Sequence, residues 1–162
     1  MKKFVFAVLS LFIVVLLCFW LFPNDKKLIE EKLISLSELI SKPKEQEVLG
    51  KALRVKAFKK MLAQEVLIDS LKVPNGIRGK KTRDELAQWL LTAIEYSTTM
   101  SLSFGEPHIQ TIEAGHAVLE LKAETRVDML TGDNQNETFE RLLIEMVKIE
   151  GHWLFKGFKE LQ

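Results

Sequence analysis

The feature that most constrains the fold of this chain is an apolar run at its amino terminus. Residues 4–22 contain one non-apolar side chain, Ser10, and only Lys2 and Lys3 carry a charged side chain before it. As an α-helix this run would be about 28 Å long, at ~1.5 Å per residue, which matches the hydrocarbon thickness of a bilayer. The sequence therefore predicts a transmembrane signal-anchor over residues 1–23 and a separate domain over residues 24–162.

Two other fates for this segment remain open. A cleaved signal peptide also begins with positive residues, but its apolar core is about 7–15 residues long and ends at small residues. Lipidation at Cys18 would require a small residue before the cysteine, whereas Leu16 and Leu17 precede it and Phe19 and Trp20 follow. These bulky neighbours fit neither route, so an uncleaved anchor is the favoured prediction.

The orientation of the segment is not decided by its charges. Lys2 and Lys3 favour a cytoplasmic amino terminus, but Lys26, Lys27 and Lys32 follow the span closely. The very short tail ahead of an export-like segment favours a domain held outside the cytoplasm. We therefore predict a single-pass membrane protein with an extracytoplasmic domain, periplasmic if the source is a bacterium.

The 140 residues that follow the apolar run have the composition of one globular domain. With Lys2 and Lys3 removed they carry 21 Lys and Arg against 22 Asp and Glu, so no basic field indicates a nucleic-acid partner. Cys18 is the only cysteine, which excludes an internal disulfide and a cysteine-based zinc site. Three scattered histidines do not indicate another metal site. We predict no metal and no cofactor.

The first part of the domain has the 3.6-residue period of helices. One apolar face predicts a first helix, with Ile29, Leu33, Leu36 and Ile40. A second amphipathic stretch contains Val55, Phe58 and Leu62; its lysines are read as a solvated face rather than a lipid-facing patch.

Thr82 and Glu85 form the pattern of a capping box and begin a third helix. The predicted buried stripe of that helix is Leu86, Trp89, Leu90 and Ala93.

After about residue 98 the period changes to 2. Apolar and charged residues alternate from Ala117 to Met129, which predicts a long strand with one wet face. Residues 131–136 predict a hairpin loop and residues 139–149 the returning strand, and Glu150-Gly151 predicts a tight turn before a last strand. With further strands at residues 66–68 and 108–112, the sequence predicts an α+β domain of three helices followed by an antiparallel meander.

Three segments of the domain carry a resemblance to a known superfamily. They are residues 73–79, which lead into the capped helix at Thr82, residues 112–118, and residues 147–154, where a strand and a Glu-Gly turn precede Trp153. In this order and spacing they resemble the nuclear transport factor 2-like superfamily, also called SnoaL-like, over about residues 25–160. The resemblance implies a cone in which three helices pack on a curved antiparallel sheet.

The resemblance leaves the function open. The superfamily includes isomerases, dehydratases and epoxide hydrolases, but also non-catalytic binding and assembly domains. Its enzymes place carboxylates, His or Tyr inside the cone, where burial shifts their pKa values. No Ser-His-Asp order and no His-Glu-x-x-His motif is present here. We assign no catalytic residue, and the candidate ligand-binding residues at the cone are Tyr96, His108, Trp89 and Trp153.

The returning strand and the last strand each allow two orientations. Arg141 and Glu145 share one strand face and lie about 13 Å apart, too far to pair if that face is inward. We therefore favour the orientation in which Leu142, Ile144 and Met146 point inward. Trp153 is predicted to be a core anchor packed against Val147 and Ile149, rather than an exposed interface residue.

These observations predict a membrane-anchored, extracytoplasmic binding or assembly module that docks a protein partner or holds a small apolar ligand in its cone. The alternative is a small-molecule enzyme of the isomerase, dehydratase or hydrolase type that uses polar residues inside the cone. We also expect a homodimer through the sheet face. A filled interior would favour assembly, whereas buried groups with shifted pKa values lining a cavity would favour the enzyme.

Overall fold

The computed structural model describes residues 24–41, 48–70, 76–129 and 135–161. Its helices and strands are, in chain order, α1 (Asp25–Ile40), α2 (Val48–Met61), β1 (Leu62–Asp69), β2 (Gly79–Thr82), α3 (Arg83–Tyr96), β3 (Ser97–Phe104), β4 (His108–Glu113), β5 (His116–Met129), β6 (Gln135–Ile149) and β7 (His152–Leu161). The predicted membrane span lies outside these residues. None of the helices within them is long and apolar enough to cross a bilayer.

The seven strands form one curved mixed sheet. Its order is β2-β1-β7-β6-β5-β3, and β4 also pairs with β5. Every pair is antiparallel except β1 and β7, which run parallel. The prediction of a purely antiparallel sheet was therefore wrong at this one pair. Strands so distant in sequence share no turn, and so no local signal marks their pairing.

Helix α1 lies across the inner face of the sheet. Asn24 caps its first turn by accepting a hydrogen bond from the backbone N–H of Lys26 at 3.1 Å. Ile29, Leu33 and Leu36 are buried, which confirms the predicted apolar face. At its far end α1 meets the edge strand β3, where the hydroxyl of Ser37 donates to the carbonyl of Leu102. This contact covers part of a strand edge that has no strand neighbour on that side.

Helix α3 begins with the predicted capping box. The backbone N–H of Glu85 donates to Thr82 Oγ1 at 3.2 Å, and the carboxylate of Glu85 accepts from the backbone N–H of Thr82 at 2.8 Å. The buried residues of this helix are Leu86, Ala87, Leu90 and Ile94. The prediction was wrong for Trp89 and Ala93, which are exposed. Apolar residues flank the buried stripe on both sides. The prediction therefore chose Trp89 and Ala93, whereas the structure buries Ala87 and Ile94.

The long hairpin of β5 and β6 supplies most of the inner face. Ala117, Leu119, Leu121 and Ala123 are buried in alternation on β5, as predicted. On β6, Ile144 and Met146 are buried and both Arg141 and Glu145 are exposed, which confirms the favoured orientation. Because β6 begins at Gln135, the predicted loop was two residues too long at that end.

Two tight hairpin turns require left-handed backbone. Ala114 and Gly115 have φ of 47° and 78°, and Glu150 and Gly151 have φ of 50° and 81°. Positive φ at both central residues is the pattern of a type I′ turn, whose twist matches that of the flanking strands. The predicted turn at Glu150-Gly151 is confirmed.

Two strands were not predicted, β2 and β3. β3 alternates polar residues with Met100, Leu102 and Phe104, which lie on the side of the core. Five serines and threonines among its eight residues weaken the strand signal. β3 nevertheless pairs with β5 over most of its length.

Trp153 is buried in the main core, as predicted, but its neighbours are different. Its partner on β6 is Lys148, and the core cluster around it includes Met146, Phe155 and Leu33. Val147 and Ile149 lie on the opposite face of the sheet, since side chains alternate along β6. The predicted packing of Trp153 against these two residues was wrong.

Trp153→Ala should lower the free energy of unfolding by about 3–5 kcal/mol, because it empties the largest buried side-chain site. Trp89→Ala is the matched control: the side chain is the same but 40% exposed, so the expected loss is no more than about 1 kcal/mol. Urea unfolding of the chain from residue 24 onward measures both. Equal losses in the two variants would contradict the core role of Trp153.

Candidate functional site

The interior between helices and sheet is filled by apolar side chains. The core cluster joins α1, β1, α3, β5, β6 and β7 and includes Phe155, Leu119 and Ile144, all fully buried. Within the ranges that the structure describes, Ser70 and Ser97 are the only buried polar residues. Ser70 donates to Glu160 at 2.7 Å. A hydroxyl lacks the acid or base strength of the groups that enzymes of such cones place inside.

The four candidate ligand-binding residues occupy separate places. Trp153 is in the core, and Trp89 lies on the surface of α3 with its ring beside Gly76. Tyr96 ends α3 and is 64% exposed. His108 begins β4 and stands opposite Glu120 of β5. The structure does not bring these four side chains together in one pocket, and their ligand-binding role stays a prediction.

His108 belongs to a polar cluster on the outer face of the sheet. The guanidinium of Arg141 binds Glu120, with Nε 3.1 Å from Oε1, and Gln110 Nε2 is 3.4 Å from the other oxygen. His108, Glu120 and Arg141 border a shallow pocket of about 270 Å³ that also contacts Glu106 and Lys122. Hydrogen bonding by Arg141 lowers the pKa of Glu120 below its usual value. The cluster is a solvated ion pair rather than a site that holds a carboxylic acid protonated.

A second polar contact joins the start of α1 to the end of the sheet. Asp25 Oδ1 accepts hydrogen bonds from Lys148 Nζ at 2.7 Å and from Trp153 Nε1 at 3.0 Å. The Lys148 ammonium also stands over the Trp153 ring, 5.7 Å from its centre. The hydrogen bonds from Lys148 and Trp153 outweigh the effect of burial and lower the pKa of Asp25. This arrangement satisfies the buried indole N–H and fixes α1 on the sheet.

A wide cleft lies between α1 and the segment that joins β3 to β4. It has a volume of about 630 Å³. We call it the acidic cleft, and the lining residues that matter here are Glu30, Ile34, Glu38, Phe104, Glu106 and Pro107. Among the residues that the structure describes, no basic residue lines it. Ile34 is 60% exposed and stands between two glutamates on the outer face of the helix.

Sequence reasoning missed the acidic cleft, although a signal for it exists. Glu30, Ile34 and Glu38 recur every four residues and therefore share one helix face. This face lies beside the buried face of α1. From the sequence alone Ile34 cannot be distinguished from an ordinary apolar helix residue, and only the structure shows that it is exposed. No pattern in the local sequence predicts that the β3–β4 segment lies beside α1 and brings Glu106 to the cleft.

The carboxylates with altered pKa values are all held in the ionised form. Besides Asp25 and Glu120, the pKa of Glu85 is lowered by its hydrogen bond from the backbone of Thr82. Ionised carboxylates can accept hydrogen bonds but do not serve as general acids near neutral pH. In the part of the chain that the structure describes, no three His, Cys, Asp or Glu side chains are grouped to hold a metal ion.

Comparisons with known proteins identify the fold. No protein-family profile and no curated protein matches the sequence. Solved structures do match it. A protein of Novosphingobium aromaticivorans provisionally named scytalone dehydratase is 14% identical, with 84% of this chain and 82% of that chain covered and a TM-score of 0.66. A provisionally named dehydratase of the nuclear transport factor 2-like family from Streptomyces avermitilis is 7% identical, with 84% and 94% covered and a TM-score of 0.60.

A third similar structure carries a different kind of name. It is provisionally named a calcium/calmodulin-dependent protein kinase II association domain, from Xanthomonas campestris, and is 11% identical, with 82% and 81% covered and a TM-score of 0.56. At such identities the likeness concerns the fold alone. The chain therefore has the nuclear transport factor 2-like fold, as its sequence resemblance predicted, and the names of its neighbours include both enzymes and an assembly domain.

Asp25→Asn should lower the stability of the fold by about 1 kcal/mol at pH 7, since it keeps an oxygen for Trp153 but removes the charge that Lys148 binds. The folded-state pKa of Asp25 lies below its usual value of 3.8, so this stabilisation is complete above that value and is lost as the pH falls through the folded-state pKa. Wild type and variant should therefore converge in urea unfolding at low pH. Glu31→Gln, at an exposed pair with Lys27, is the control with little expected effect. A difference that persists undiminished at low pH would contradict this role.

Proposed function

We propose that this chain is a membrane-anchored, extracytoplasmic assembly module whose domain binds protein rather than transforming a small molecule. The observation that carries the proposal is the filled interior. Where enzymes of this fold would need a cavity with acid or base groups, this domain has packed apolar side chains and two buried serines within the described residues. The same packing argues against storage of an apolar ligand in the cone.

Catalysis is the weaker candidate. Two of the similar structures bear dehydratase names, but the likeness is one of fold. The acidic cleft and the pocket beside Arg141 both open at the surface, and their charged side chains are solvated or paired. A catalytic acid or base would need a pKa moved towards neutrality, whereas Asp25, Glu85 and Glu120 have theirs lowered.

The outer face of the sheet is the surface we propose for self-association. All three helices contribute to the apolar clusters on the inner face, so none of them covers the outer one. Exposed apolar side chains on the outer face include Leu67, Phe139 and Ile149, and Phe139 is 68% exposed. Half-buried apolar residues lie among them: Val118, Leu143, Val147 and Leu154. Such a face, self-complementary about a two-fold axis, suits a homodimer.

The anchor is tested by fractionation of the full-length chain. If residues 4–22 are retained in the bilayer, the protein should stay in the membrane pellet through high-salt and alkaline washes, because a spanning helix is not released by either. A reporter that is active only outside the cytoplasm, fused after Gln162, should be active. Recovery of a soluble product that begins after residue 22 would rule out the anchor, and a silent reporter would reverse the topology.

The sheet-face dimer is tested by Phe139→Asp in the detergent-solubilised full-length chain. The charge placed within the proposed contact should convert a dimer into a monomer in sedimentation equilibrium without altering the unfolding midpoint. Tyr96→Asp is the matched control, since Tyr96 is as exposed but lies at the end of α3, away from the outer face. A Phe139→Asp protein that remains dimeric would exclude this surface.

A further inference from the structure

The acidic cleft has the properties of a docking site for a basic partner. Its three carboxylates come from two separate segments, Glu30 and Glu38 from α1 and Glu106 from the β3–β4 connection. Glu30 forms a long pair with Lys26 at 3.8 Å; in the described part of the chain Glu38 and Glu106 form no salt bridge. Ile34 presents an apolar side chain between the glutamates of α1. A ligand that fits must therefore combine positive charge with an apolar side chain.

Helix α2 of the same chain presents that combination. It contains Lys51, Arg54, Lys56, Lys59 and Lys60 and no acidic residue. Lys59 pairs with Asp84 of α3, so it is engaged within the domain. The residues we call the basic face, Leu53, Lys56 and Lys60, are exposed, and Leu53 is 61% exposed. One large aliphatic side chain thus lies beside two lysines.

We propose that the acidic cleft of one copy receives the basic face of α2 from a second copy. With Leu53 placed on Ile34, Lys56 lies about 4.5 Å further along its helix, while Glu30 and Glu38 lie about 6 Å to either side of Ile34, at ~1.5 Å per residue. The Lys56 ammonium therefore reaches a carboxylate in either helix direction. The contact joins an apolar centre to complementary charges, which set the register and accelerate association.

This contact is heterologous, since it joins two different surfaces of identical chains. A chain that offers both surfaces assembles head to tail, into a ring if the rotation closes and into an open array if it does not. The inference rests on the proposed assembly function and names a second surface for it, distinct from the outer face of the sheet.

Crosslinking in membranes tests the contact directly. The full-length chain carries Cys18→Ser, so that each copy has one thiol, and two differently tagged forms are co-expressed, Ile34→Cys and Leu53→Cys. A short bismaleimide should join the two forms to each other, and neither form expressed alone should crosslink to itself. Self-crosslinking of Ile34→Cys, or its capture of a different protein in place of Leu53→Cys, would overturn the proposal.

A third form separates this inference from the proposed function. If Phe139→Cys copies crosslink to one another while the Ile34→Cys and Leu53→Cys forms do not, the assembly function stands and the head-to-tail contact is wrong. If no form crosslinks to any other copy, both are wrong.

Charge reversal supplies a test by rescue. Lys56→Glu or Glu38→Lys alone should lower the yield of the crosslink about fivefold, the effect of losing one exposed ion pair. Lys56→Glu should be rescued by Glu38→Lys in the same chain if the helix direction places Lys56 on Glu38, and by Glu30→Lys if the opposite direction places it on Glu30, because the cleft then meets the opposite charge again. Lys80→Glu, an exposed reversal on β2, is the control with no expected effect. Unchanged yields in the single variants, or failure of both double variants to recover at an unaltered unfolding midpoint, would refute the contact.

Discussion

The last strand of the chain lies inside the sheet, and the rest of the structure depends on this placement. β7 pairs with β6 on one side and with β1 on the other, so β1 and β2 join the sheet only through it. Its inner face contributes Trp153 and Phe155 to the core, and the indole of Trp153 donates to Asp25 at the start of α1. α1 and β7 therefore stabilise each other, and the sheet is complete only once β7 has joined it. Contacts so distant in sequence are formed late in folding because loop closure must precede them.

The core that this strand completes also decides where function can lie. Apolar side chains pack between helices and sheet, and the proposed function therefore places recognition on the surface. The surface offers two contrasting faces: an outer sheet face with apolar residues around the Glu120–Arg141 pair, and a helix side that carries the acidic cleft and the basic face of α2. The first is suited to self-complementary packing and the second to recognition by charge.

Structural features that depend on neighbouring residues were predicted correctly from the sequence. Features that depend on contacts between distant residues were not. Alternation from Ala117 to Ala123 and the capping box at Thr82 were sufficient to place β5 and the start of α3. No turn connects β1 to β7, so no local pattern predicts their parallel pairing. The buried stripe of α3 was wrongly extended to Trp89 because apolar residues flank the stripe on both sides. The candidate site was predicted least well: pairs such as Arg141 with Glu120 join strands by register, which residue types alone do not reveal.

A membrane anchor restricts how the two proposed contacts can combine. If every copy is held on the same side of one bilayer, only rotations about an axis along the membrane normal relate neighbouring copies without inverting one of them. A closed assembly with a single such axis is cyclic and uses one kind of repeating interface. A two-fold sheet dimer and a head-to-tail α1–α2 contact in the same chain therefore cannot both be satisfied in a small closed ring. Used together they extend into a flat array within the membrane plane, and used separately they give either dimers or rings, so the size of the membrane-bound assembly reports which contact dominates.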